Sequence, residues 1–139
     1  MHTDSERLDQ LETALEAAGI AWWWMELPSG TVFFSPNKTN MLGRRQEDFF
    51  HYKHFVDIVN PDDQARIMKA MQDHLEGKTP LYETVYRIKK KNGKYATFYD
   101  RGKIISEKSG EKVVAGIVFD TAVMDDRIQQ IAIDELGSS

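Results

Sequence analysis

A chain of 139 residues, 41% hydrophobic and 29% charged, is long enough for one globular domain with a single core. The formal net charge of −4 argues against a nucleic-acid partner and an anionic membrane surface, because both favour clustered positive charge. The absence of cysteine excludes disulfides and thiolate chemistry and agrees with a cytoplasmic location. No stretch approaches the roughly 20 apolar residues of a membrane span, so we expect no membrane insertion by this segment, even if the protein is anchored elsewhere.

The N-terminal segment, residues 1–19, predicts an amphipathic helix. Thr3 and Glu6 have the spacing of a capping box, and Gly19 is of the type that commonly follows a helix end. Apolar residues recur at steps of three and four, which forms a narrow stripe. Such a stripe packs on its own domain or is shared with a second subunit, and the sequence leaves both possibilities open. The stripe consists of Leu8, Leu11, Leu15 and Ala18.

Three consecutive tryptophans lie in the next predicted element, a strand. Successive side chains of a strand point to opposite faces, so Trp23 lies on one face while Trp22 and Trp24 lie on the other. A strand with one face in water alternates apolar and polar residues, and this one does not. We therefore expect the N-terminal helix of the same or a second subunit to cover Trp22 and Trp24.

A turn at "PSG", a second strand at "TVFFS" and short helical pieces follow, and then a long helix. Asn60 is placed as its N-cap, Pro61 as its first residue and Gly77 as its stop. Asp62 and Asp63 resemble a catalytic pair, but acidic residues are favoured at a helix N-terminus, so we assign them to capping.

Three strands complete the predicted domain. "LYETVYRIKK" alternates and ends at a turn in "KNGK", which predicts an antiparallel hairpin with "YATFYDRGKII". "VVAGIVFD" is apolar on both faces, as expected of a central strand. The predicted order is helix, two strands, helices, three strands, helix.

This order and its residues resemble the PAS domain, in particular the bacterial sensor subgroup with a "W-x-W-D-L" first strand and a "Y-R-x-x-x-x-D-G-x-x-R-W" hairpin. The resemblance covers residues 20–120. Two positions depart from the pattern: Thr97 stands where the family often has tryptophan, and "DTA" replaces "DIT" at the end of the last strand. The matching pieces are Trp23 with Glu26 and Leu27, Ser35 and Pro36, "MLG" at 41–43, "NPDD", Tyr86 and Arg87, Asn92 and Gly93, and "GIVFD".

The resemblance implies an α+β PAS fold, a five-stranded antiparallel sheet with short helices on one face plus N- and C-terminal amphipathic helices. It also implies three segments: a capping or dimerisation helix at 1–19, a sensory domain at 20–121 and a signalling helix or linker at 122–139. Ligands of the family lie between sheet and helices, although a fully packed core without ligand explains these residues slightly better than a pocket does. The candidate pocket consists of Trp23, Met25, Phe55, Ile58, Met68, Met71, Tyr86, Ile88, Phe98 and Val118.

Each known cofactor of the family requires particular residue types, which can be looked for in this chain. Flavin photoreceptors form an adduct with a cysteine, which this chain lacks, and they present a glutamine to the flavin where this chain has Val118. A haem site would need an inward histidine near the long helix, and we expect His74 to face solvent, so we predict no haem. His51 and His54 have no third ligand nearby in sequence, so we predict no metal site.

Three classes of function remain. The first is a sensory module that binds a small apolar or aromatic ligand, or a partner, and controls an effector domain in the same chain. The second is a dimerisation module without ligand. The third is an enzyme, which needs a tuned polar group in the cavity. Asp100 faces inward by alternation, but we expect no histidine or lysine to serve it, so the isolated domain is expected to be non-catalytic.

The C-terminal tail predicts an output helix. After Asp120 its apolar residues recur at steps of three and four, so the helix can pair with its copy in a homodimer. "RIQQIAIDEL" resembles the linker that enters a diguanylate cyclase (GGDEF) domain, "R-I-x-x-L-A-x-x-D-x-L-T-G-L", with a spacing one residue short. A histidine kinase is the alternative effector. The residues assigned to dimerisation or signalling are Leu8, Leu11, Leu15, Trp22, Trp24, Ile128 and Ile131.

Overall fold

The structure is a computed structural model that describes residues 3–137. One antiparallel sheet has the strand order β2-β1-β5-β4-β3. Helices lie before, between and after the strands, which confirms the predicted α+β class. The strands are β1 (Ala21–Leu27), β2 (Val32–Phe34), β3 (Tyr82–Lys89), β4 (Tyr95–Lys108) and β5 (Glu111–Asp120), and the helices are α1 (Asp4–Ala17), α2 (Pro36–Leu42), α3 (Tyr52–Val56), α4 (Pro61–Leu75) and α5 (Thr121–Leu136).

The predicted terminal segments 1–19 and 122–139 coincide with α1 and α5 over the described range. Residues 1, 2, 138 and 139 of those segments lie outside the described residues, and the division into three segments stays a prediction. None of the helices found within residues 3–137 is long and apolar enough to cross a bilayer.

The cap that the sequence predicts for α1 is confirmed. The Thr3 hydroxyl accepts a hydrogen bond from the Glu6 N–H at 3.1 Å, and Gly19 follows the helix with φ +73°. The apolar stripe of α1 does not enter the core, since no residue of this helix is buried and Leu8 and Leu11 are 51% and 57% exposed. Within one chain α1 therefore leaves its stripe available.

Helix α4 begins as predicted, but one of its two aspartates has a different role. Asn60 accepts from the Asp62 N–H at 3.0 Å, with Pro61 as the first helical residue. Asp63 turns to β3, where it accepts from the Arg87 backbone N–H at 2.8 Å and from its guanidinium at 2.8 and 3.0 Å. The assignment of Asp63 to capping was wrong, because this contact joins α4 to the sheet.

Strand alternation creates an inner face that packs against the helices. Trp23 on β1 lies opposite Gly116 on β5, which in turn lies opposite Gly102 on β4. A Cβ added at Gly102 or Gly116 would come within 2.9 or 2.7 Å of the Trp23 ring. Two neighbouring glycines therefore make room for the indole on the inner face, where Trp23 is buried as the sequence predicts.

Trp22 and Trp24 occupy the outer face. Their rings pack on either side of Phe33, with centroid distances of 4.9 and 6.0 Å, and both remain half-buried. The expectation that α1 of the same or a second subunit covers these tryptophans stays a prediction.

The last strand continues into α5 without a loop. Asp120 ends β5 and caps α5 by accepting from the backbone N–H groups of Ala122 and Val123, at 3.1 and 3.2 Å. The Thr121 hydroxyl donates to the Thr97 carbonyl oxygen at 3.1 Å. The Thr121 side chain, which belongs to the "DTA" departure from the family pattern, therefore fixes the start of α5 to β4.

Candidate functional site

A cavity of about 270 Å³ lies between the inner face and helices α2, α3 and α4. Five of the predicted pocket residues line it: Trp23, Met25, Phe55, Met68 and Met71. The cavity walls are mostly aliphatic and aromatic, with a few polar groups, which is the usual composition of a small-molecule site.

The other predicted pocket residues belong to the packed core. Phe98, Ile88 and Val118 are fully buried, and Tyr86 is 1% exposed. Ile58 packs against this core from the helical side. Alternation identified the inner face, but it does not distinguish residues that contact each other from residues that border a void.

Asp100 lies at the sheet side of the cavity and is 3% exposed. One carboxylate oxygen accepts from the Trp23 indole N–H at 2.6 Å, and the other accepts from the Tyr86 hydroxyl at 2.9 Å. Burial raises the pKa of Asp100, and the positive charge of Lys38 and these two donors oppose the rise. Asp100 is therefore held in one position by donors from two other strands.

Lys38 lies in α2 and is 1% exposed. Its ammonium is 3.7 Å from the ring centroid of Phe34 and 4.8 Å from that of Phe55. Such cation–π contacts contribute about 2 kcal/mol when desolvated, less than the cost of burying a charge alone. Within residues 3–137, no hydrogen bond or ion pair joins this ammonium to another group.

Burial lowers the pKa of Lys38 from 10.5 to about 8, and the Asp100 carboxylate acts in the opposite direction. Both residues line the same cavity. The expectation that no lysine serves Asp100 was therefore wrong. Sequence reasoning missed Lys38 because it lies in a seven-residue helix. The available signal was its i, i+4 spacing to Leu42, which is fully buried on the same helix face.

The three histidines within residues 3–137 have structural roles. His74 was expected to face solvent, but it is 5% exposed: its Nδ1 lies 3.0 Å from the Thr79 carbonyl oxygen, and its Nε2 accepts from the Ile104 N–H at 3.0 Å. Both ring nitrogens are thus engaged, and neither is available to an iron. The Nδ1 atoms of His51 and His54 accept backbone N–H bonds. No cluster of three or more potential metal ligands occurs within residues 3–137.

The residues assigned to signalling lie mainly on exposed surfaces. Ile128 and Ile131 on α5 are 56% and 49% exposed, and Leu15 on α1 is half-buried. The Arg127 guanidinium donates to the Ala18 carbonyl oxygen. This bond joins α5 to the end of α1, so the two terminal helices are in contact near the point where both leave the sheet.

Known structures share this arrangement. A sensory box histidine kinase/response regulator from Burkholderia thailandensis is 21% identical, with a TM-score of 0.66 over 91% of this chain and 97% of that chain. The N-terminal domain of a diguanylate cyclase with PAS/PAC sensor from Marinobacter aquaeolei is 19% identical, with a TM-score of 0.67 over 76% and 98%. Drosophila melanogaster Cycle PAS-B (W398A) with bound glycerol is 14% identical, with a TM-score of 0.61 over 72% and 98%.

At these identities the structural matches establish the fold alone. A search of curated protein sequences gave no significant match. The sequence profile described as the PAS fold matches residues 31–118, which is more than half of the chain. These residues include β2 to β4 and most of β5, together with Lys38 and Asp100. The chain therefore belongs to the PAS family, whose domains are generally non-catalytic sensor modules.

Proposed function

We propose that this chain is a cytoplasmic sensory domain of a signalling protein. A small molecule in its cavity controls an effector domain through α5. The observation that carries the proposal is the short structural connection between the cavity and the start of α5. Asp100 lines the cavity and lies opposite Val118 on β5, and Phe98 lies opposite Asp120, which caps α5. A shift of β4 against β5 would therefore reach the output helix within two residues.

Two further contacts support the transmission of a structural change from the sheet to α5. The Thr121 hydroxyl ties the first turn of α5 to β4, and Arg127 ties its second turn to the end of α1. A ligand changes an equilibrium only by binding one state more tightly than the other. We expect the two states to differ in the contacts at Thr121 and Arg127, because these contacts determine the direction in which α5 leaves the sheet.

A homodimer is the second part of the proposal. The exposed apolar residues of α1 and α5 form two stripes beside the half-buried outer-face tryptophans. Pairing these stripes with a second copy would remove apolar surface from water, which is the main driving force for association. A paired α5 could then pass a rotation or register shift to a downstream domain.

The effector we propose is a diguanylate cyclase domain, with a histidine kinase as the alternative. Support for the cyclase comes from the likeness of "RIQQIAIDEL" in α5 to the linker that enters such domains. Joining the chain through α5 to either catalytic domain, then measuring cyclic di-GMP synthesis or autophosphorylation, tests the choice. Only the correct effector should show a rate that depends on the integrity of the cavity.

Two other functions are weaker. A dimerisation module without ligand does not account for the cavity between the sheet and the helices. An enzyme gains some support from Lys38 and Asp100 in one cavity, but both Asp100 oxygens already accept protein hydrogen bonds and the Lys38 ammonium rests on aromatic rings. Two fixed donors already occupy the Asp100 carboxylate, so ligand recognition is the better use of the pair.

Native mass spectrometry of the chain purified from its host tests ligand binding directly. A bound small molecule is expected, and ligand-free and ligand-loaded protein should differ in hydrogen exchange along β5 and the first turns of α5. The tip of the hairpin at Asn92 and Gly93 is the internal control and should exchange equally in both. A ligand that leaves the exchange of α5 unchanged would contradict the proposed output.

A further inference from the structure

The Lys38 ammonium identifies the chemical class of the ligand. We propose that the cavity takes a small apolar molecule that ends in a carboxylate, and that this carboxylate binds the Lys38 ammonium. The inference rests on the proposed function, since it requires that the cavity holds a ligand at all.

The headgroup follows from which donors and acceptors the protein leaves unused. Asp100 already receives the Trp23 indole N–H and the Tyr86 hydroxyl, one on each oxygen. A lysine ammonium has three N–H donors, and that of Lys38 makes no hydrogen bond to another described residue: it lies over the Phe34 and Phe55 rings and interacts with the Asp100 carboxylate through charge alone. The group that the site lacks is therefore a hydrogen-bond acceptor for the Lys38 ammonium. A carboxylate is the best such acceptor because a charge-assisted hydrogen bond is about twice as strong as a neutral one.

Charge also excludes other headgroups. A ligand ammonium would be repelled by Lys38 and would compete with the two donors that already hold Asp100. A neutral hydroxyl or carbonyl could accept a hydrogen bond from Lys38 but would form a weaker one than a carboxylate does. Asp100 itself disfavours an anion beside it, so the carboxylate is expected next to Lys38 and away from the sheet side of the cavity.

The rest of the cavity sets the size and polarity of the ligand body. A cavity of about 270 Å³ is many times larger than the space that one water molecule needs, so it can hold a small molecule. Its walls include Met25, Met71 and Leu75, and methionine side chains adapt to apolar molecules of different shape. Met68 is 50% exposed and Gln72 is exposed, so these α4 residues mark the side from which a ligand can enter.

Three probes of equal chain length test the headgroup without any mutation: octanoate, octan-1-ol and octylamine, titrated by calorimetry into protein freed of bound molecules. Octanoate is expected to bind at least tenfold more tightly than octan-1-ol, and octylamine is expected not to bind. Lys38→Met keeps the length and the apolar stem of the side chain. This variant should lower the octanoate affinity to about that of octan-1-ol and should change the octan-1-ol affinity much less, whereas Lys103→Met on the exposed side of β4 should change neither.

The outcomes separate this inference from the proposed function. Equal binding of octanoate and octan-1-ol, undiminished in Lys38→Met, would overturn the carboxylate assignment and leave a ligand-binding sensor in place. Failure of all three probes would also overturn it, and the native mass spectrum would still decide whether the cavity holds another ligand. If Lys38→Met does not fold, the comparison of the three probes on the unaltered chain decides alone.

Discussion

Trp23 donates its indole N–H to Asp100 at 2.6 Å, and this bond links β1 to β4 across the central strand β5. Trp23→Phe keeps an aromatic ring but removes one of the two donors to a buried carboxylate. We expect the free energy of unfolding to fall by about 1–3 kcal/mol, because a buried acceptor loses its partner. Urea unfolding measures the change. Trp24→Phe on the half-buried outer face is the matched control and should cost less, and equal losses would contradict the role of the bond.

The lowered pKa of Lys38 predicts that stability rises with pH between about 8 and 10. In this range the unfolded chain keeps a lysine proton that the folded chain has lost, so the slope of the unfolding free energy is positive, at most about 1.4 kcal/mol per pH unit. Tyr82 and Tyr86 stay neutral in this range, since burial raises their pKa well above 10.0.

Chemical denaturation of the unaltered chain and Lys38→Met at several pH values isolates this contribution. The unfolding free energy of the unaltered chain should rise relative to that of Lys38→Met as the pH increases from 8 to 10, because the folded lysine loses its buried charge. A difference that is constant over this range would show that the ammonium of the folded chain titrates normally.

The inner face and the cavity predict different costs for two large-to-small changes. Phe98 is fully buried in the core, so Phe98→Ala should lower the unfolding free energy by about 3–5 kcal/mol. Met71 borders the cavity and is half-buried, so Met71→Ala should cost about 2 kcal/mol and should enlarge the space available to an apolar probe. Equal costs, with no gain in probe binding for Met71→Ala, would show that Met71 does not border a void.

Asp63 predicts an acid-sensitive link between α4 and β3. The Arg87 side chain holds the pKa of Asp63 well below its usual range, so this carboxylate stabilises the fold at neutral pH, and the stabilisation is lost as the pH falls below about 4. Asp63→Asn should lower the unfolding free energy at pH 7 by about 1–3 kcal/mol. The unfolding free energy of this variant should also fall less than that of the unaltered chain when the pH is lowered below about 4. Asp62→Asn, on an exposed neighbour, is the control; if both variants behave alike in acid denaturation, the Asp63–Arg87 contact is not the cause.

The sequence predicted the sheet and its inner face, because period-two alternation and turn residues act locally. It could not predict which inner residues would border a void, since Met71 and Phe98 are equally apolar and differ only in what packs against them. Lys38 was missed for a related reason: a charged residue in a short helix is usually exposed, and its burial depends on the aromatic rings of β2 and α3. Asp63 was misassigned because capping is local, whereas its partner Arg87 is 24 positions away.

The exposed isoleucines of α5 predict a helix-mediated dimer. Replacing Ile128 and Ile131 together by lysine places like charges on a stripe that we propose to pair with its copy, so self-association should weaken at least tenfold with no loss of folding. Sedimentation equilibrium measures the association, and circular dichroism checks the fold. Ile105→Lys is the control, because Ile105 on β4 is 66% exposed and lies outside the terminal helices. A double variant that associates as strongly as the unaltered chain would show that α5 is not part of the interface.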